Sequence, residues 1–401
     1  MPRTEMAAAE LSYTMNICFI CCEYPPGPHG GIGTMTQVLG RSLVRHGHDV
    51  RVIGVHPAEY PGPDQDEDMG VRVLRLRDSG RHSSWVASRY RLYKKIADWV
   101  RSREVELIEA PDYQGWVACW PRLAVPVIVR LHGSVTYFAN ELQTSVDRVG
   151  YWLERAALRR ADAVCSVCEY TSHMTQQVFR MPLRSTVVYN PVELPPENSE
   201  TQRERNRVVF SGTLTAKKGV VALMRAWLIV LKSCPEAELH IFGKDGRTDD
   251  GQSMKNFLCS MLNGARQTVH FHGHVGRQEL FANYQRSAAA VFPSLAEAFA
   301  VAPLEAMACG CTTIYSRRGS GPELLQDGRE GLLVDPDKPE QIAEAIVRVL
   351  TNVDFAKYLA AAARARVRKR FSAENVTIEN IRFYEHCTGT FRSQHSRRAG
   401  S

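Results

Sequence analysis

Short apolar runs alternate with stretches of helical period along this chain, and the alternation breaks at one place and then starts again. "NICFICC" (Asn16–Cys22) reads as a buried strand, followed by a Gly/Pro loop, "EYPPGPHGGIG". A helix pattern comes next, with apolar Met35, Val38, Leu39 and Leu43 and a stop at Gly47. "DVRVIGV", "VELIEA", "AVPVIVRLHG", "ADAVCSV" and "STVVYN" are further strands. Between Asn190 and Arg207, "NPVELPPENSETQRERNR" is proline-rich, then polar and charged, as a linker is. The theme then resumes with "RVVFSGTLTAKKG", "AELHIFGKDG", "TVHFHGHV", "SAAAVFPS", "CTTIYS" and "GLLVD". Strands separated by helices of this length make parallel sheets covered by helices. The expected fold class is α/β, with two Rossmann-like parallel-sheet domains facing across a cleft. The expected organisation is a tail over 1–14, an N-terminal domain over 15–192 and a linker over 193–206. A C-terminal domain over 207–370 follows, then a helix over 371–388 packing back on the N-terminal domain and a tail over 389–401.

A length of 401 residues suits two domains, and 44% hydrophobic with 23% charged residues is ordinary for a globular chain. No apolar run approaches the roughly 18 residues that cross a bilayer. "MPRTEMAAAELSYT" lacks the charged and apolar regions of a signal peptide. Eleven cysteines without regular spacing argue for reduced thiols in the cytoplasm rather than a disulfide framework. Cys165-x-x-Cys168 has no matching second pair to make a zinc site. The net charge of +7 suits an anionic partner, be it a nucleotide, a phosphate or a membrane surface.

Ligands of open α/β sheets bind beyond the carboxyl ends of the strands, so the loops there carry the chemistry. "HGGIGT" (His29–Thr34) lets a backbone approach a ligand at a helix start. It is not a dinucleotide fingerprint, because Thr36 stands where the third glycine belongs and no acidic residue ends the second strand. "SGTLTAKKGV" (Ser211–Val220) opens the second half, and Lys218 can reach a phosphate as a point charge; the Walker order is absent. His132 and Gly133 close a strand, and "GSGPELL" (Gly319–Leu325) turns into a helix at Pro322.

"SLAEAFAVAPLEAMACG" (Ser294–Gly310) sets Glu297 and Glu305 eight positions apart in an apolar stretch. Buried carboxylates are costly unless paired. Pro303 belongs in a helix's first turn, which puts Glu297 in a loop and Glu305 in the first helical turn, with a stop at Gly310. Carboxylates accept from sugar hydroxyls, while the Ala298–Ala300 N–H groups and Lys218 suit phosphate. The combination fits a nucleotide sugar. The plainer alternative is that Glu305 caps its own helix and Glu297 is a solvated loop residue.

"EAFAVAPLE" resembles the E-x7-E motif of the retaining glycosyltransferases of family 4, which have the GT-B fold. "PPGPHGGIG", "LHG", "NPVE", "GTLTAKKG", "FGKDG", "FHGHV" and "SGPELLQDGREGLLV" resemble further motifs of that family in the same order, from about Asn16 to Leu350. The resemblance implies that Lys218 neutralises a diphosphate, Glu297 meets the donor sugar, Glu305 the ribose, and that His132 lies near the sugar. Catalytic roles fall to Glu297, His132 and Lys218. Donor contacts fall to Gly31, Gly33, Gly212, Thr213, Lys218, Gly243, Gly273, His274, Val275, Glu297, Ala298, Phe299, Ala300 and Glu305. The resemblance implies no metal and no cofactor beyond the nucleotide-sugar co-substrate. Thr213 replaces the family's arginine, and Ala298 and Ala300 replace glycines, which would strain the loop if a positive φ were needed.

The implied reaction moves a sugar from a nucleoside-diphosphate sugar, expected to be a UDP-sugar, to a glycan, lipid-linked sugar or small molecule, with no nucleic-acid partner. Two rivals are a non-catalytic nucleotide-sugar-binding protein and a glycoside hydrolase using the two carboxylates. Arg81–Arg103, basic and aromatic, is a candidate for peripheral contact with an anionic membrane, against the plainer reading of a solvated helix face.

Overall fold

The computed structural model describes residues 13–399 apart from 28, 61, 79–83 and 197–201. The tail residues 1–12, 400 and 401, and part of the expected linker, lie outside the described residues. The N-terminal domain is built on an eight-stranded sheet. Its strands are β1 (Asn16–Ile20), β2 (Asp49–His56), β3 (Gln65–Asp68), β4 (Val71–Arg77), β5 (Leu107–Pro111), β6 (Val127–Leu131), β7 (Ala163–Ser166) and β8 (Ser185–Val187). They lie in the order β3-β4-β2-β1-β5-β6-β7-β8. The C-terminal domain has β9 (Glu204–Ser211), β10 (Glu238–Phe242), β11 (Val269–Gly273), β12 (Ser287–Phe292), β13 (Thr312–Ser316) and β14 (Leu332–Val334). These lie in the order β11-β10-β9-β12-β13-β14. Every pair is parallel except β3–β4. Parallel strands covered on both faces are apolar throughout, and β5 and β6 are buried along their whole length.

Strand order reverses at β1 in the first sheet and at β9 in the second, so crevices open at the carboxyl ends of β1/β5 and β9/β12. Both loop sets line one cleft of about 1090 Å³. The helix Gly31–Arg45 buries Met35, Val38, Leu39 and Leu43, the residues that its period marks.

The chain crosses between domains twice. Val192 bonds the second crossing on both sides: its N–H donates to the Phe371 carbonyl at 2.8 Å, and its carbonyl accepts from Ala373 N–H at 2.9 Å. The final helix, Ala373–Ala399, then packs on the N-terminal domain, placing Ile381, Phe383, Tyr384 and Cys387 in the core beneath β1 and β2. A buried polar network pins it there. Arg130 on β6 donates to both Glu109 oxygens, at 2.7 and 2.9 Å, and to Asn380 at 2.5 Å, while Tyr384 donates to Glu109 at 2.7 Å. Two forked N–H···O bonds satisfy a desolvated carboxylate that would otherwise be costly to bury.

Three expectations change. The segment expected as a tail from 389 is helical through Ala399. The β3–β4 hairpin is added: "QDED" is an edge strand with no buried residue, and β4 alternates buried Val71 and Val73 with exposed Arg72 instead of forming an apolar run. Strand β9 begins at Glu204, inside the expected linker; its first residues are polar because they extend along the sheet toward solvent.

Candidate active site

Two loops build the C-terminal wall. One runs from Ser211 at the end of β9, the other from Phe292 at the end of β12. Gly219, at φ +71°, lets them touch: a Cβ there would stand 1.8 Å from the Pro293 carbonyl oxygen. Leu295 N–H donates to the Lys217 carbonyl at 2.8 Å and fastens the loops together. As a result Lys218 Nζ forms an ion pair with Glu297 Oε1, which also accepts from Ser294 Oγ at 3.1 Å. The helix Val301–Ala308 starts beside them with no side-chain cap, and Val301, Ala302 and Pro303 line the cleft. Its first-turn N–H groups have no helical acceptor, so they form a site for negative charge.

The charges are tuned by burial and by neighbours. Burial alone would raise the Glu297 carboxyl, but Lys218, Lys217 and the Ser294 hydrogen bond outweigh it and hold it below the ordinary range. Glu305 goes the other way: burial raises it to about 7, with Arg277 Nε, 3.7 Å away, opposing and Glu193 assisting. Arg277 also pairs with Glu193 at 2.5 Å. Burial, with the nearby Arg130 charge, lowers His132 to about 3, so its ring is neutral throughout the physiological range. Lys217 is lowered mainly by burial and lies 3.8 Å from the Phe138 ring centre.

The N-terminal domain grips the Glu297 loop. Tyr137 donates to the Glu297 carbonyl at 3.3 Å, and Cys168 Sγ and Thr171 Oγ1 donate to the Ala298 carbonyl at 3.1 and 3.0 Å. Gly133 (φ +86°) lies against the Ala298 methyl; a Cβ on Gly133 would come within 3.0 Å of it. On the opposite wall, Glu23 accepts from Gly33 N–H at 2.8 Å, filling part of the N-terminus of the helix Gly31–Arg45.

Most residues singled out from sequence meet in this cleft: His132, Gly31, Gly212, Thr213, Lys218, Gly243, His274, Val275, Glu297, Ala298, Phe299, Ala300 and Glu305 all line it. Gly33 and Gly273 do not. Gly33 packs on the Glu23 backbone, where a Cβ would be 2.0 Å from a carbonyl oxygen, and the Gly273 carbonyl accepts from Gly243 N–H at 2.7 Å. Both shape loops rather than face the cavity. The helix expected at Pro303 starts two residues earlier, at Val301, so Glu305 falls just past the first turn. Proline is tolerated there because first-turn N–H groups need no helical partner. Neither Ala298 nor Ala300 has a positive φ, so the expected strain is absent. Sequence reading missed Arg277, Lys217, Glu193, Glu23 and Tyr137. Lys217 is adjacent to Lys218, and Glu23 and Glu193 lie within "EYPPGPHGGIG" and "NPVE"; Arg277 and Tyr137 come from elements whose meeting no local pattern announces.

The only group of metal-ligating side chains among the described residues, Glu238, His240 and His270, contributes nothing to the cleft lining. All eleven cysteines are free. Cys165 and Cys168 are both buried, with the Cys168 thiol raised to about 12 by burial, unlike zinc-ligating thiolates.

Comparison with known proteins matches the two domains separately. Residues 30–191 match the family described as glycosyl transferase 4-like domain, and residues 205–352 the family described as glycosyl transferases group 1. An uncharacterized glycosyltransferase of Methanocaldococcus jannaschii is 25% identical, covering 92% of this chain and 98% of its own. Glycogen synthase of Mycobacterium tuberculosis is 26% identical, covering 92% and 94%. Among solved structures, sucrose-phosphate synthase from Thermosynechococcus elongatus superposes with a TM-score of 0.79 at 20% identity, over 94% of this chain and 100% of that one. Anabaena HepE in complex with UDP and glucose gives 0.71 at 16% identity, over 93% and 100%. With a glycosyl transferase 4-like domain, a group 1 domain and two Rossmann-like sheets meeting at one cleft, the chain belongs to the glycosyltransferases of GT-B fold.

Proposed function

We propose that this glycosyltransferase moves a sugar from a nucleoside-diphosphate sugar, a UDP-sugar, to a hydroxyl-bearing acceptor with retention at the anomeric carbon. The observation that carries the reading is the Lys218–Glu297 pair beside the uncapped start of the helix Val301–Ala308. UDP as the nucleotide of the donor is supported by the UDP that HepE binds. The diphosphate lies at the helix start, where Lys218, Lys217 and the free N–H groups meet charge as it develops on the leaving oxygen. These groups supply the stabilisation, and no metal is invoked for transfer. Glu297 accepts from donor-sugar hydroxyls, Glu305 from the ribose, and neutral His132 bonds the sugar from the N-terminal side. The C1–O bond to the diphosphate breaks while the acceptor oxygen bonds to C1 on the same face, and the acceptor proton passes to the departing phosphate. Contacts from Tyr137, Cys168 and Thr171 hold the Glu297 loop against the N-terminal domain, and closure of the cleft over the donor would exclude water.

Thermal-shift screening against UDP-, GDP-, ADP- and TDP-sugars identifies the donor, and NMR of the product gives its anomeric configuration. Stabilisation by a UDP-sugar and a retained anomer support the reading; an inverted product refutes retention, and glycan cleavage without any nucleotide would favour a hydrolase. Donor binding without transfer to any acceptor would favour a sensor.

We place the protein in the cytoplasm, at the face of an anionic membrane. No helix among the described residues is long and apolar enough to cross one. The helix Ser84–Arg101 exposes Trp85, Val86 and Tyr90 among basic residues, the composition of an interfacial contact. Flotation with anionic liposomes and not neutral ones supports this; flotation with neither removes it.

A further inference from the structure

We infer that Glu238, His240 and His270, on the edge pair β10–β11, form a binding site for a divalent transition metal of the zinc class. Alternate residues of a strand share a face, so Glu238 and His240 lie on one side of β10. His240 and His270 are register partners across β10–β11, which brings His270 to the same side. The candidate ligand atoms lie within 4.8 Å of one another. Glu238 Oε2 is 3.3 Å from His240 Nε2 and 3.8 Å from His270 Nε2. Ligand atoms around a tetrahedral ion with bonds of about 2.1 Å are roughly 3.4 Å apart, so small side-chain rotations close the site.

Two further features point to a ligand. His270 Nε2 is buried with no hydrogen-bond partner although its ring is partly exposed. His240 turns Nε2 toward Glu238, and its Nδ1 meets His272 Nε2 at 2.9 Å. That second bond fixes ring orientation and tautomer, as outer partners of metal-ligating histidines do. Two imidazoles and a carboxylate suit zinc, and three protein ligands leave a fourth position for water.

One contact opposes an ion. Arg207 Nη1 lies 3.0 Å from His240 Nε2. Arg207 keeps other partners, Asn283 at 2.7 Å and Glu204 at 3.4 Å, to which it can withdraw. The site is spatially separate from the cleft: its residues lie outside the cleft lining. Strand β11 does lead directly into His274 and Val275 of the cleft, so an ion there braces that side of it.

The test uses full-length protein freed of metal with a chelator and titrated with ZnCl2 by calorimetry, with equilibrium dialysis for stoichiometry. Wild type is expected to take up one more Zn2+ per chain than His270→Asn, or to bind that ion at least about tenfold more tightly. Glu238→Gln should weaken the same event, and Arg207→Gln, which removes the opposing charge, should tighten it. His270 and Glu238 side chains are 39% and 54% exposed, so their variants should fold, and melting curves confirm it. Zinc uptake by His270→Asn equal to wild type, or no uptake by wild type, overturns the proposal.

Discussion

Removing Lys218 and removing Glu297 should have similar effects on catalysis and different effects on stability. The Glu297 side chain is 10% exposed and that of Lys218 30%. In Lys218→Ala the carboxylate stays buried with only Ser294 Oγ at 3.1 Å and the more distant Lys217 charge. Breaking a fully buried pair this way costs about 3–5 kcal/mol, and the partial exposure of the lysine and the persistence of Lys217 reduce that to about 1–3. In Glu297→Gln the freed ammonium reaches solvent, and the amide keeps the Ser294 bond, so the loss should stay below about 1 kcal/mol. The double variant should recover part of the Lys218→Ala loss, because it no longer buries an unpaired charge. For transfer, each single variant should lower kcat by about a hundredfold or more, the scale of losing a charge aligned with the leaving group or with the reacting sugar. Thermal melting and steady-state kinetics with the identified donor measure both. The reasoning fails if Glu297→Gln is the less stable single variant, or if Lys218→Ala keeps near-normal transfer with an intact fold.

Glu305, raised to about 7 by burial, links donor binding to pH. In the proposed role the carboxylate accepts from a ribose hydroxyl, so donor affinity should fall about fivefold from pH 7 to pH 6, and Glu305→Gln should flatten the profile. In the free protein the sign is reversed for folding: because the folded pKa lies above the ordinary one, the Glu305 contribution declines as pH rises toward 7. A flat wild-type profile would refute the assignment. Tyr384→Phe removes the 2.7 Å bond to buried Glu109 and should cost about 1–3 kcal/mol in a melt, with kcat unchanged. An unchanged melting temperature would show that the network does not hold the final helix.

Much of the fold was legible because its cause is local. Buried parallel strands must be apolar and their helices must carry a periodic face, so both domains could be traced from "NICFICC" to "GLLVD". Strand β3 was invisible for the same reason, since "QDED" buries nothing, whereas β4 alternates buried Val71, Val73 and Arg75 with more exposed residues, a legible strand that a search for apolar runs passes over. Charged "GTFRSQHSRRA" reads as a tail, yet the helix continues because Tyr384 and Cys387 in the turns before it and Phe391 within it are buried.

For the site, the sequence alone determined which segments after the strands meet at the cleft and that Lys218, Glu297, Glu305 and His132 stand in them. It also determined that Pro303 divides the two glutamates between loop and helix. Tertiary structure decided their charge states and partners. The two carboxylates move in opposite directions because Lys217 and Lys218 face Glu297, whereas Glu305 meets one arginine at 3.7 Å shared with Glu193. Such differences depend on burial and on distances between segments far apart in the chain. A linear pattern records neither, because electrostatic energy varies with separation and with the surrounding dielectric, which exist only once the domains have folded against each other.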